Sequence, residues 1–313
     1  MLNLLFITDP YEKLDLVNDA SILIMAEAHR RGHRVWITTA DNLRVDHDIP
    51  KGILTLLTSV SGERKIWKEG KTEDRGLDSM DLIFMRKDPP FTVDYIIATY
   101  ILSLAVSRGV RVMNDPMALR NFNEKMGILQ FSRFIPPTLV TKKYADLSAF
   151  LKRHGTIVLK PLERSSGQEV IVLHQKDKNR NSLFEILTKG ETRYIMAQKY
   201  LSAVKQGDKR IFILNGEIAG AYVRFSHPSD HRTNLHSGGT SAPTKLSARE
   251  KAACKGVGSS LKKLGIFFAG IDMIGGFITE INVTSPGGGF DVVNKEAKIK
   301  LEEKIVDFME SYA

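Results

Sequence analysis

Cysteine is nearly absent. One, Cys254, stands in 313 residues, so no internal disulfide can form and a reducing, cytoplasmic setting is expected. It falls in a helix-like run, Ser247 to Leu264, where a packed thiol is the reading and not a nucleophile. Long apolar runs are missing too, none approaching the ~20 residues of a membrane span. The opening Met1-Leu-Asn-Leu-Leu-Phe-Ile-Thr-Asp-Pro10 is short and lacks leading basic residues, so it reads as a first strand and not as a signal peptide. No Gly-x-Gly-x-x-Gly follows that strand, which removes the dinucleotide fingerprint, and no Gly-x4-Gly-Lys-Ser/Thr occurs, which removes a P-loop. Acidic residues are the minority: 36 Asp and Glu against 45 Lys and Arg, a net charge of +9. The basic residues are spread along the chain without interleaved aromatics, so nucleic acid is not the expected partner. Attraction of small polyanions such as nucleotides is the simpler account.

What is present describes an ordinary globular chain, with 42% hydrophobic and 26% charged residues and length for two or three compact units. Residues 2–8, a helix capped by Asp19 or Ser21 and ended by Gly32, and His33 to Thr39 read as a βαβ unit with a parallel sheet. His29 and His33 have helical metal spacing, but Gly32 between them makes them exposed helix-end histidines. Lys51 to Ser79 reads as a strand and a long loop. Met80 to Met85 is a strand running into Arg86-Lys87-Asp88-Pro89-Pro90-Phe91, just past a strand's carboxyl end, where open α/β sheets bind ligands. A helix from Val93 to Arg108 and a strand at Val110 to Met113 close the first unit, and a helix from Met117 to Phe131 carries Asn123-Glu124-Lys125. After Pro136-Pro137 the pattern restarts as a small α+β unit, with strands at 138–142, 156–160, 169–174 and 193–200 and helices at 146–154 and 181–189. A third unit opens with a hairpin around Asn215-Gly216. Ser226 to Thr240 reads as a mobile loop, followed by helix 247–264, a second hairpin and a basic C-terminal helix from about Val293.

The second hairpin, within Gly270 to Gly289, carries the sharpest chemical signal. Glu280 and Asn282 share one strand face. A two-residue loop at Gly275-Gly276 pairs Asp272 with Thr279 and sends Glu280 to the other side. A three-residue loop, Gly275 to Phe277, sets Asp272 opposite Glu280. The expectation is the three-residue loop. Two carboxylates and an amide oxygen then converge, and an all-oxygen set suits Mg²⁺ or Mn²⁺. Lys125 and Lys160, at element ends, are suited to phosphate, although each alone reads as a solvated lysine. Ala197-Gln198-Lys199-Tyr200-Leu201 is a connecting strand whose backbone groups can read an adenine edge. Arg210 and Arg224 can share a sheet face and bind carboxylate or phosphate by forked hydrogen bonds, with Arg232 and Asn234 following in the loop.

Met85-Arg-Lys-Asp-Pro-Pro-Phe91, Asn123-Glu-Lys125, Ile157-Val-Leu-Lys-Pro-Leu162, Met196-Ala-Gln198, Gly207-Asp-Lys-Arg210 and Thr279-Glu-Ile-Asn-Val-Thr-Ser-Pro286 occur in order. In these runs the chain resembles the bacterial glutathione synthetases of the ATP-grasp superfamily. The resemblance implies an α/β and α+β fold: a parallel-sheet βαβ domain (1–120), a small central lid domain (121–202) and an antiparallel-sheet metal and catalytic domain (203–313). It implies that Lys125 and Lys160 contact ATP phosphates, the backbone of Gln198, Lys199, Tyr200 and Leu201 the adenine, and Asp208 the nucleotide side of the pocket. Asp272, Glu280 and Asn282 would hold two Mg²⁺ ions. Arg210, Arg224, Arg232 and Asn234 would neutralise the transferring phosphate and the substrate carboxylate, with Arg86, Ser285 and Gly287 near the peptide substrate. The implied partners are ATP, γ-glutamylcysteine and glycine, with no membrane and no nucleic acid, in a homo-oligomer, a tetramer. Three stretches depart from the family pattern. Glu163-Arg164-Ser165-Ser166-Gly167-Gln168 has one glycine where the family's lid loop is glycine-rich. Gly287-Gly288-Gly289-Phe290 follows Pro286, and Ser226 to Arg232 is unlike the usual loop. A paralogous carboxylate–amine ligase with other substrates and a nucleotide-binding homologue without turnover therefore stay open at this level.

Overall fold

β1 (Asn3–Thr8), α1 (Ala20–Arg30) and β2 (Arg34–Thr39) form the expected βαβ unit in the computed structural model, with β1 and β2 parallel. The structure describes residues 1–15, 19–164, 168–227, 239–295 and 300–313. The Asp19 side chain accepts from the Ser21 N–H and caps α1, satisfying one of the orphan donors of the first turn. β3 (Leu43–Asp46) leads into β4 (Ile49–Ser61) and β5 (Ile66–Gly76), a long antiparallel ribbon where the sequence reads as one strand and a loop. Lys68, Glu69, Lys71, Glu73, Asp74 and Arg75 hide the second strand, because charge protects an exposed sheet edge and masks the apolar alternation. β6 (Leu82–Met85), α2 (Val93–Ser107) and β7 (Arg111–Met113) complete a sheet of order β3-β4-β2-β1-β6-β7, with β5 on β4. β1 has parallel neighbours on both sides, so Arg86, just past β6, lies beside the switch point of the sheet.

α3 spans only Pro116–Asn121, and a 3₁₀ segment follows at Met126–Phe134. The continuous helix expected over this region is broken at Asn123-Glu124-Lys125. Asn123 causes the break: its side-chain oxygen accepts from the N–H groups of Lys125 and Met126, a local alternative to helical bonding. Next come β8 (Thr138–Thr141), α4 (Tyr144–His154), β9 (Thr156–Pro161), β10 (Ile171–His174), α5 (Arg180–Thr188) and β11 (Ile195–Lys199). Their antiparallel sheet, β10-β9-β11-β8, has its own core of Leu147, Phe150, Ile157, Leu159, Phe184 and Ile195.

The third sheet is antiparallel, of order β14-β13-β12-β15-β16. It is built from β12 (Asp208–Leu214), β13 (Glu217–Phe225), β14 (Thr240–Pro243), β15 (Phe268–Ile274) and β16 (Phe277–Asn282), with α6 (Ala248–Lys263) against it. β14 takes the end of the stretch expected to be loop. The remainder of that loop, 228–238, lies outside the described residues, as do Arg232, Asn234 and the lid residues 165–167. Cys254 is buried with its sulfur 3.9 Å from the Met273 sulfur, and burial pushes its thiol up to about 12. It is the packed thiol expected.

α7 (Phe290–Asn294) and α8 (Leu301–Tyr312) end the chain. α8 is acidic, not basic: Glu302, Glu303, Asp307 and Glu310 stand against Lys304, and the lysines after Val293 precede the helix. Asp307 and Glu310 face the end of α1, where both pair with Arg31. His33 corrects a further expectation, being buried with its Nε2 2.8 Å from Glu310. Phe84, Phe212, Phe268, Phe290 and Tyr222 form one aromatic core, so the first and third sheets share their interior.

Candidate active site

The hairpin β15–β16 delivers the expected facing pair by a different route. Asp272 is directly opposite Glu280, yet Ile274 pairs with Phe277, so the turn has two residues, Gly275 and Gly276, and not three. Both glycines have positive φ, +57° and +79°, as a tight hairpin turn of this length requires, and glycine adopts it without steric cost. The extra residue appears instead as a bulge at Thr279, where the register shifts between Asp272 and Met273, and the Thr279 hydroxyl donates to the Asp272 carbonyl.

Cross-strand neighbours arrange the charges. Arg210 on β12 is directly opposite Asp272, and Arg224 on β13 is directly opposite Asp208, so all four project from one face of the sheet. Arg210 grips Asp272 with two nitrogens, Nη2 lying 3.1 Å from Oδ2. Arg224 Nη2 lies 2.6 Å from Asp208 and 3.0 Å from Asp272. Burial alone would raise the Asp272 carboxyl, but the two guanidiniums override it and hold the group well below the usual carboxylate range. Asn282 donates to Asp272 at 3.3 Å. Glu280 pairs with Lys125 Nζ at 2.9 Å. Burial opposes the Lys125 ammonium, yet Glu280 outweighs it and raises its pKa. Two carboxylates this close repel, and three protein cations, Arg210, Arg224 and Lys125, offset that charge.

Lys160 projects from β9, donating to the Gln198 side chain at 2.7 Å and to the Thr279 carbonyl at 3.4 Å. Burial lowers its pKa, against the pull of Glu280. A desolvated ammonium of this kind is poised for an arriving anion. Gln198, Lys199, Tyr200 and Leu201 line the same cleft. Their backbone is less available than expected, since the Lys199 N–H donates to Pro137 and the Tyr200 N–H to Thr156. At the opposite end Arg86 is buried, its Nε donating to the Ser21 hydroxyl at 3.1 Å, and its Nη1 has no hydrogen-bond partner among the described residues. Asp88 bonds to the Ser285 side chain, and burial raises its carboxyl. The Gly287 carbonyl accepts from Arg210. Arg86, Lys160, Asp208, Arg210, Asp272 and Asn282 all border one cleft of about 900 Å³, large enough for a nucleotide with a small peptide.

Sequence reasoning gave no role to Tyr222, Glu124 or Asn114. Tyr222 has the period-two spacing from Arg224, a usable signal, and it forms the floor beneath Gly289. A Cβ at Gly289, whose φ is +78°, would meet the Tyr222 ring at 2.3 Å. Gly289→Ala should therefore lower stability by about 1–3 kcal/mol, the usual cost of an overpacked core, as a fall in the thermal unfolding midpoint will show. Asn114 ties the two shared-core sheets, donating to the carbonyls of Phe268 and Val283. Nothing in the sequence marks it.

Residues that could hold a divalent cation are Asp272, Glu280 and Asn282. Among the described residues no three His, Cys, Asp or Glu gather into a metal cluster, so the amide oxygen is a necessary member. The donor set, all oxygen and next to desolvated lysines, fits Mg²⁺ with phosphate and not a soft metal.

Two antiparallel sheets closing on a lysine-lined cleft, with oxygen donors on the floor strand, define an ATP-grasp ligase. Solved structures share this fold: a D-cycloserine synthetase (TM-score 0.68, 12% identity, covering 98% of this chain and 99% of that one) and a RiPP-associated ATP-grasp ligase of Chryseobacterium gregarium (TM-score 0.65, 16% identity, 100% and 98%). Residues 2–120 match the N-terminal domain of prokaryotic glutathione synthetase, and residues 124–297 match its ATP-grasp domain. The chain belongs to the prokaryotic glutathione synthetase family. A glutathione synthetase of Synechocystis sp. is 38% identical over 318 residues, 99% of each chain.

Proposed function

We propose that Lys160, Arg210 and Arg224, converging with Asp272 and Asn282 on one cleft and backed by the Lys125–Glu280 ion pair beside it, carry out the ATP-dependent joining of γ-glutamylcysteine and glycine to glutathione. The chain is an ATP-dependent carbon–nitrogen ligase of that family. A carboxylate does not react directly with an amine. Transfer of the γ-phosphoryl group to the cysteinyl carboxylate makes an acyl phosphate, and glycine's amine then displaces phosphate to leave ADP, phosphate and the peptide. The protein's task is to hold three anionic groups together and to exclude water.

In this reading Lys125 and Lys160 bind the phosphates. Gln198 to Leu201 flank the adenine and Asp208 bounds the nucleotide pocket. Arg210 and Arg224, with Arg232 and Asn234, offset the charge that gathers as the phosphoryl group moves. Arg86, Ser285 and Gly287 hold the peptide end, where the unpartnered edge of Arg86 suits a carboxylate. Asp272, Glu280 and Asn282 would hold Mg²⁺, or Mn²⁺, as two ions with the nucleotide; bound there, the metal offsets phosphate charge. The division into units 1–120, 121–202 and 203–313 belongs to the same proposal, as does a cytoplasmic location. No described helix is long and apolar enough to cross a membrane. Assembly into a homo-oligomer, by family resemblance a tetramer, belongs to the same reading; the exposed apolar stripe of Val93, Ile97, Tyr100 and Leu104 on α2 supports association.

The purified protein, given γ-glutamylcysteine, glycine and saturating Mg·ATP, should release ADP and glutathione in equal amounts. Absence of both products overturns the reading.

A further inference from the structure

β16 is an edge strand, and its outward N–H groups need partners. Glu124, in the break between α3 and the 3₁₀ segment, supplies them. Its carbonyl accepts from the Ile281 N–H at 3.1 Å. Its carboxylate Oε1 accepts from the N–H of Val283 at 2.9 Å, the N–H of Thr284 at 3.1 Å and the Thr284 hydroxyl at 2.9 Å. One residue thus stands in for a neighbouring strand and pins the backbone on both sides of Asn282. Its neighbours reach the other way. Asn123 donates to the Leu162 carbonyl and Lys125 to the Arg164 carbonyl, both on the segment leaving β9. The triplet therefore clamps the base of the phosphate-covering loop to the strand that carries Glu280 and Asn282.

We propose that Glu124 is a positioning residue for the ligation: its carboxylate fixes the Asn282–Ser285 segment so that the oxygen donors of β16 face the nucleotide phosphates. The role rests on where an acceptor atom sits and not on proton transfer. It extends the proposed ligase reading, in which Asn282 and Glu280 serve the metal. Such positioning falls mainly on turnover, since a displacement of about 1 Å can cost a reaction about 100-fold. Nucleotide binding through β11 is untouched.

Two variants separate placement from charge. Glu124→Gln keeps an acceptor oxygen in place without the charge. Glu124→Asp keeps the charge but withdraws it by one methylene, out of reach of the Val283 and Thr284 N–H groups. Glu124→Gln should keep kcat within about fivefold of wild type, whereas Glu124→Asp should lose about 100-fold. The KM for ATP should stay within about threefold in Glu124→Gln. Calorimetric titration of ADP with and without Mg²⁺ gives a readout apart from turnover: the aspartate variant should lose the Mg²⁺-dependent gain in affinity and keep metal-free ADP binding. Glu124→Asp equal to or better than Glu124→Gln overturns the proposal, because charge or proton transfer would then matter. Wild-type kcat in both variants overturns it too. A wild-type enzyme that makes no glutathione is the separate failure of the ligase reading, and the titration contrast remains measurable in that case.

Discussion

Asp272→Asn is expected to abolish ligation and to destabilise the unliganded protein by about 3–5 kcal/mol, the cost of removing one partner from a buried ion pair. The carboxylate is buried between Arg210 and Arg224. An amide of the same shape removes the negative charge that both guanidiniums share in a desolvated place. Arg224 retains Asp208, whereas Arg210 keeps only the Gly287 carbonyl among its described hydrogen-bond partners. The acid dependence of the difference identifies the cause. The folded pKa of Asp272 lies below its unfolded value, so its stabilisation is complete above about pH 4 and is lost as pH falls through the depressed folded value. Denaturant unfolding of wild type and variant should show a gap that is constant from pH 7 to 5 and narrows in stronger acid. A gap that persists unchanged to pH 2, or a variant that still forms glutathione at the wild-type rate, contradicts the account.

Glu280→Gln should also remove turnover, by about a thousandfold, in line with the loss of a key electrostatic group, but should cost less stability than Asp272→Asn. Lys125 is buried while the Glu280 side chain is 22% exposed, so the loss should fall between the ~1 kcal/mol of an exposed pair and the ~3–5 kcal/mol of a fully buried one. The measurement is kcat beside the thermal unfolding midpoint. A fully active variant rules out Glu280 as a metal ligand, and a midpoint drop like that of Asp272→Asn would mean that its role is structural. The two acids face each other across one hairpin yet differ in cost, because one is buried between two guanidiniums and the other, partly exposed, meets a single lysine.

The parts of this molecule that follow from local chemistry were legible in the sequence. Asp19 as cap, Asn215-Gly216 as turn, the period-two placing of Arg210 with Arg224 and of Glu280 with Asn282 are properties of short segments. The facing of Asp272 and Glu280 was legible only as a choice between registers, and the right register came with the wrong loop. Gly275-Gly276 can take positive φ twice and so closes a two-residue turn, while a bulge has no strong one-dimensional mark. What stayed hidden depends on distant partners. β5 pairs with β4 despite its charge, Glu124 completes a strand some 160 residues along the chain, and Asn114 bridges two sheets. The backbone N–H groups of Lys199 and Tyr200 are taken by Pro137 and Thr156, and no reading of residues 197–201 alone contains that.

A plain hairpin with a two-residue turn would set two acids face to face with one residue fewer than this one uses. Thr279 is therefore surplus to the pairing, and its value lies in direction. By interrupting the ladder it turns a carbonyl out of its own sheet toward Lys160 on the other. The irregular residue works as a hinge pin between two sheets that share no strand, so a hairpin regularised for stability would be the better hairpin and the poorer half of a cleft.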